Sequence, residues 1–247
     1  MTRVQTTKSI ALSNIGRETL QIVLPSWCVV CDRALPWRDR EASCCGDCWR
    51  SLPRLSGSRC RSCALPLPAG DDTVCIACSA DPLPVGWCDA WGEYTAGLER
   101  LLHAFKFERH DFLDVSLGAL VQEALLARAD VTFDAIVPVP MHRSRERRRG
   151  YNQAELLGRA LSKRTGIACE ARLLTKRQEN DTQSLLPRAA RRENVRKSFQ
   201  ASPDVSGKSI LLVDDICTTG ETFRACAREV LRADAKRVCA ISVAKAV

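Results

Sequence analysis

From residue 87 onward, short apolar runs alternate with longer stretches in which apolar residues recur every three or four positions. Pro82 to Trp87 reads as a linker into a short strand around Trp87 to Trp91. From Thr95, the residues Leu98, Leu101, Leu102 and Phe105 share one helix face. Leu113, Leu117, Leu120, Val121, Ala124 and Leu125 mark a second helix ending near Ala129. Phe133 to Val137 is a buried strand that stops at Pro138 and Pro140, because proline has no N–H to give to a ladder. A basic loop follows, then a helix with Ala154, Leu157, Ala160 and Leu161 as its inner stripe and Gly166 at its end. Ser209 to Val213 reads as a strand, Phe223 to Leu231 as a helix and Arg237 to Val243 as a strand.

Strands alternating with helices predict an α/β domain over residues 88–247, built on a mostly parallel sheet covered on both faces. In such sheets ligands gather beyond the carboxyl ends of the strands. The loops after Val137 and Val213 are therefore the places to search for chemistry.

Upstream, the informative residue is cysteine. Ten of the fourteen cysteines lie between Cys28 and Cys88, and eight of those ten form four C-x₂-C pairs. Cys28/Cys31 goes with Cys45/Cys48, and Cys60/Cys63 with Cys75/Cys78, the pairs standing 13 and 11 residues apart. Two residues between cysteines let a turn aim both sulfurs at one ion, and two such turns complete the tetrahedral sulfur shell that Zn²⁺ prefers. Residues 25–81 thus read as a double zinc ribbon holding two structural Zn²⁺ ions, behind an N-terminal extension of residues 1–24. Buried structural cysteine and iron–sulfur ligation are the alternatives. Cys44 could replace Cys45 in the first site, although the spacing of Cys45 repeats that of the other pairs. The single cysteines Cys88, Cys169, Cys217, Cys226 and Cys239 sit in apolar contexts and read mostly as core residues.

No stretch approaches the ~20 consecutive apolar residues of a membrane helix. Within residues 1–24 the longest apolar run, Ile22-Val23-Leu24, is too short for a signal-peptide core. The expectation is a cytoplasmic protein with no membrane insertion, where paired cysteines bind metal more often than each other.

Charge sharpens the picture in one region. The formal net charge is +8, yet Met141 to Ser198 alone carries sixteen Lys and Arg against six Asp and Glu, a net of +10. Five of those arginines, Arg143, Arg145, Arg147, Arg148 and Arg149, fall in seven residues directly after a strand end. A block of this kind suits a phosphate cluster or a nucleic-acid strand, the plain alternative being a solvated charge run.

The loop after Val213 reads Asp214-Asp215-Ile-Cys-Thr218-Thr219-Gly220-Glu221-Thr222, two acids and then a small hydroxyl-rich turn opening a helix. Carboxylates accept from sugar hydroxyls, while hydroxyls, a glycine and helix-start amides suit a phosphate. The order of groups matches ribose followed by 5′-phosphate. A nucleotide P-loop fits worse, since no lysine follows Gly220.

This segment resembles the phosphoribosyl pyrophosphate (PRPP) motif of type I phosphoribosyltransferases. Together with the ribbons, Val137-Pro-Val-Pro-Met-His142, Arg149-Gly-Tyr-Asn152-Gln153-Ala-Glu155 and the run Thr182 to Val195, it makes the chain similar to the ComF proteins from about Leu24 to Val243. The resemblance implies a PRPP site made of Asp214, Asp215, Thr218, Thr219, Gly220, Glu221 and Thr222, with Asp214 and Asp215 as the catalytic acids fixing ribose. It implies a pyrophosphate loop of Pro138 to Arg143, including Pro140, Met141, His142 and Arg143, and a mobile hood of Lys176 to Leu186. Mg²⁺ would accompany PRPP. ComF proteins are associated with natural competence, so single-stranded DNA and the DNA-uptake machinery are the implied partners. The alternative is an active phosphoribosyltransferase acting on an unidentified nitrogen acceptor. Asn152, Gln153 and Glu155 read equally well as the cap and surface of a helix.

Overall fold

A computed structural model describes residues 26–36, 43–68, 74–108, 110–128, 132–177 and 198–246. The expected N-terminal extension and the hood beyond Arg177 lie outside the described residues.

In the cysteine-rich part, β1 (Ser26–Trp27) and β2 (Ala34–Leu35) pair antiparallel on either side of the first cysteine turn. Two short helices, α1 (Gly46–Arg50) and α2 (Ile76–Ala80), each begin directly after a cysteine, Cys45 and Cys75. The second pair of each set therefore sits on a helical turn.

The larger part runs β3 (Cys88–Glu93), α3 (Ala96–Phe107), α4 (Leu113–Leu126) and β4 (Ala135–Pro138). It continues through α5 (Arg143–Arg149), α6 (Gln153–Thr165), β5 (Leu174–Lys176) and β6 (Phe199–Ala201). It closes with β7 (Ser209–Cys217), α7 (Glu221–Arg232) and β8 (Arg237–Lys245). Four strands form one parallel sheet in the order β3-β8-β7-β4, while β5 and β6 pair antiparallel beside it.

Both faces of the sheet are covered, as the continuous apolar runs require. Leu211, Val213, Ile241 and Val243 pack on one side with Leu98, Leu101 and Phe105 of α3, Leu117 of α4 and Leu157 of α6. Ile210, Leu212 and Ala240 pack on the other with Phe223, Cys226 and Val230 of α7. Full burial of each large aliphatic or aromatic side chain contributes ~1.5–3 kcal/mol.

Two elements differ from expectation. The basic stretch after β4 is the helix α5 and not a loop: the His142 ring accepts from the Ser144 N–H at its start, and Gly150 closes it at φ 95°. Arg147, Arg148 and Arg149 fall in its last turn, where the carbonyl end of the helix favours cations. Strand β7 also runs on through both acids to Cys217, because Asp214 and Ile216 still pair with Ser242 and Ala244 of β8.

The ribbons dock along the exposed edge of β3. Leu55 donates to the Trp91 carbonyl at 3.0 Å, Glu93 to Pro53 at 2.8 Å and Cys88 to Arg61 at 3.2 Å. Covering an edge strand removes a template for unwanted pairing. The approach is close enough that a Cβ at Gly92 would stand 2.5 Å from the Pro53 oxygen. Fully buried Asp89 joins the parts, bonded to Arg59 of the ribbons at 3.1 Å and to Arg128 at 2.7 Å.

Candidate ligand cleft and metal centres

The four sulfurs of Cys28, Cys31, Cys45 and Cys48 lie within 4.8 Å of one another, as do those of Cys60, Cys63, Cys75 and Cys78. A tetrahedron with Zn–S bonds of ~2.3 Å has sulfur–sulfur edges of ~3.8 Å. Cys31 and Cys45 stand 3.9 Å apart, and Cys63 and Cys75 stand 3.8 Å apart. The cages therefore fit single ions and are too tight for a multi-iron cluster. Cys44 is outside the first cage: its thiol points to the Cys45 carbonyl, and burial pushes it up to about 12. In both sites the first cysteine accepts from the backbone N–H of the third, at 3.3 Å. Burial opposes ionisation of Cys28, but N–H groups of Cys45, Cys31 and Val30 outweigh it and bring the thiol down to about 6. With four protein ligands these two zinc sites are closed and structural.

Beyond the carboxyl ends of β4 and β7 lies a cleft of about 390 Å³. Asp214, Asp215 and Thr222 line it from the β7 side, and Pro140 and Met141 from the β4 side. Strand alternation turns the two acids to opposite sides of β7. Asp215 is buried and ion-paired to Lys106 of α3, with Nζ at 3.0 Å. Burial and then the charge of Asp215 raise the Asp214 carboxyl well above the ordinary carboxylate range.

The turn after β7 is shaped by Gly220, which precedes α7 at φ 79°. A Cβ there would be strained by that angle and would meet Leu83 at 3.1 Å. Thr218 and Thr219 are exposed. Beneath them the buried Lys245 ammonium bonds the carbonyls of Cys217 and Thr218. Thr218, Thr219, Gly220 and Glu221 thus form a turn at the helix start and do not line the cleft, whereas Thr222, the next residue of the motif, does.

His142 and Arg143 face an adjoining cavity of about 440 Å³, while Arg145 and Arg149 reach the cleft itself. Arg143 is nearer in sequence to β4, but one helical turn of α5 carries the later arginines round to the acids. Asn152 caps α6 by accepting from Ala154 N–H at 3.1 Å and ties the loop by donating to Val139 at 3.1 Å. Gln153 does more than decorate a helix. It lines the cleft, accepts from Arg149 at 2.6 Å, and has a buried Nε2 without a hydrogen-bond partner among the described residues. Such an orphan donor points to a ligand oxygen. Sequence reasoning also missed Lys106 and Lys245; a lysine ending the apolar run of β8 was the available signal for the latter.

Residues 19–81 match the double zinc ribbon domain, and residues 147–246 match the phosphoribosyl transferase domain. Parallel sheet, cleft and sulfur cages accordingly define a zinc-ribbon protein with a phosphoribosyltransferase fold. A DNA utilization protein, YhgH, of Salmonella typhi is 32% identical over 222 residues, covering 88% of this chain and 96% of that protein. Competence protein F of Haemophilus influenzae is 28% identical, covering 84% of this chain and 85% of its own length. Competence protein ComFC of Bacillus subtilis is 26% identical, covering 83% and 88%. The chain belongs to the ComF family. No helix among the described residues is long and apolar enough to cross a membrane.

Proposed function

We propose that the chain is a cytoplasmic PRPP-binding protein that works in the handling of imported single-stranded DNA during natural competence. The observation that carries the reading is the meeting of Asp214, Asp215 and Thr222 with Arg145, Arg149 and the Gln153 amide in one cleft. The acids would accept from the ribose diol. Amides and hydroxyls of Thr218 to Thr222, at the positive end of α7, would take the 5′-phosphate. The pyrophosphate would lie along Pro140 and Met141, where Arg145, Arg149 and Gln153 are the donors in reach. Mg²⁺, if carried in with PRPP, would neutralise that diphosphate, with Asp214 and Asp215 as the nearby oxygen donors. The DNA role draws on the names of the relatives and on the basic block, and binding of that kind weakens steeply with salt. The units are a ribbon part over residues 25–81 and the ligand-binding part over residues 88–247.

Titration calorimetry with PRPP and Mg²⁺ tests the cleft: wild type should bind and Asp215→Ala should abolish binding. Unchanged affinity in that variant removes the site. A second reading, turnover, draws on both acids being present and lining the cleft, where they could accept from ribose hydroxyls. Pyrophosphate release from PRPP across a panel of bases and amines would support it. Salt-sensitive gel shifts of single-stranded DNA without turnover would support the first reading.

A further inference from the structure

The two sulfur cages are built alike. In each, the first cysteine donates its N–H to a carbonyl further along the turn, Cys28 to Arg33 and Cys60 to Leu65, both at 2.8 Å. Its own carbonyl accepts from the residue after the second cysteine, Asp32 or Ala64, again at 2.8 Å. Its sulfur accepts from the N–H of the third cysteine at 3.3 Å. The sulfurs of the second and third cysteines are also similarly spaced, 3.9 Å for Cys31 and Cys45 and 3.8 Å for Cys63 and Cys75.

What differs is the cover. All four cysteines of the second cage are buried, and Ala64, next to Cys63, is 0% exposed. They lie in the same apolar cluster as Leu83 and Phe223. In the first cage only Cys28 and Cys45 are buried; Cys48 is half-buried and Cys31 is exposed. The side chain of Asp32, next to Cys31, is 80% exposed. Cysteines that hold zinc do so as thiolates, and oxidation of a cysteine follows its thiolate character and its access to solvent. Thiolate character is common to the two cages and access is not, so access sets which one reacts.

We propose that Cys31 and Cys45 form an oxidation site through which hydrogen peroxide opens the first cage while the second stays closed. The Cys31 thiolate attacks one peroxide oxygen, the O–O bond breaks, hydroxide leaves and Cys31 carries a sulfenic acid. The Cys45 thiolate, 3.9 Å away, then attacks the Cys31 sulfur and expels a second hydroxide. Two thiolates have lost two electrons, one peroxide has gained them, and a disulfide stands where two ligands were. Cys28 and Cys48 alone do not complete a tetrahedral shell. Cys44 offers no replacement, since its thiol is buried and turned to the Cys45 carbonyl. The turn from Cys28 to Cys31 also seats the first ribbon on α3, where Arg100 donates to the Val30 carbonyl at 2.9 Å and pairs with Asp32 at 3.6 Å. Opening the cage loosens that seat and leaves the second ribbon bonded to β3 and α7 through Arg61 and Asp81.

The test is to add hydrogen peroxide to the full zinc-loaded chain, follow released zinc with a chromogenic chelator and map the thiols by peptide mass spectrometry. One zinc ion should be released at least about tenfold faster than the other, the factor that a local opening of about 1.4 kcal/mol imposes on reaching the buried cage. The first product should be a Cys31–Cys45 disulfide, and dithiothreitol with zinc should restore the starting protein. Hydrogen exchange in that product should quicken over residues 26–35 and stay unchanged over residues 74–81. Cys31→His keeps a fourth ligand but cannot form the disulfide, so it should hold two zinc ions and resist the first release. Cys44→Ser should behave as wild type. If Cys31→His fails to load its first ion, the order of release and the disulfide map of wild type decide alone. Parallel loss of both ions, the second cage opening first, any other first disulfide, dependence on Cys44, or a loaded Cys31→His chain that opens as fast as wild type overturns the proposal.

Discussion

Replacing Asp89 by alanine should loosen the hold of the ribbons on the sheet. The carboxylate is fully buried, accepts from Arg59 at 3.1 Å, from Arg128 at 2.7 Å and from the Ala90 N–H at 2.8 Å. Removing one partner of a buried pair costs about 3–5 kcal/mol, because the remaining charge is left uncompensated. Here the stranded arginines keep 23% and 21% of their side-chain exposure, so water recovers part of the loss. Arg128 also retains its place over the Trp87 ring, at 5.6 Å. The expected loss is therefore at the lower end, about 3 kcal/mol. For a chain of this size each kcal/mol lowers the melting temperature by about 2–4 °C, which gives a drop of about 6–12 °C. Circular dichroism melts with zinc present measure it, and Arg59→Ala, which leaves Asp89 its second arginine, should lose less. A fall below about 2 °C for Asp89→Ala would show that the triad contributes little and that the strand-edge bonds alone hold the ribbons.

Three further outcomes follow from the site. Asp214→Asn should stabilise the unliganded protein at neutral pH: with its carboxyl raised, Asp214 contributes stability that is full below the unfolded value of ~3.9 and is lost as pH rises through the folded one. Melts from acid to neutral pH should flatten in that variant, and parallel curves would refute the assignment. Chelation should release two zinc ions and also weaken PRPP binding, since Arg224 of α7 holds Asp81 and Pro82, just past the second cage, at 2.7–3.0 Å. Retained PRPP affinity in the zinc-free chain would uncouple the two parts. Gly220→Ala should cost about 1–2 kcal/mol for the left-handed angle, with Leu83→Ala relieving the side-chain contact but not that cost.

The helices with a continuous apolar stripe were legible, because burial against the sheet is what forms them. Leu98, Leu101, Leu102 and Phe105 are all fully buried where the spacing puts them. Helix α5 carries no such stripe; its caps, His142 and Gly150, decide its existence, and a run of arginine conceals them. The C-terminal end of β7 was hidden for a related reason, since two acids interrupt an apolar pattern while the backbone ladder continues beneath them. In the ribbons the spacing gave the two sets, but the choice between Cys44 and Cys45 required the direction of a thiol. The motif residues announced the turn that opens α7. Lys106 comes from another element and no sequence signal brings it to the acids, whereas Gln153 was in view only as helix surface and Lys245 only as the end of an apolar run.

Lys106 gives the cleft a resident counter-ion. On the proposed reading, an incoming sugar would not meet a bare carboxylate at Asp215 but one already engaged at 3.0 Å. Capture is then an exchange of partners, and its free energy is the difference between two attractions. Selectivity would follow on that reading: a weak hydroxyl donor alone would not dislodge the ammonium, whereas a ligand that brings phosphate would give the displaced lysine somewhere to go.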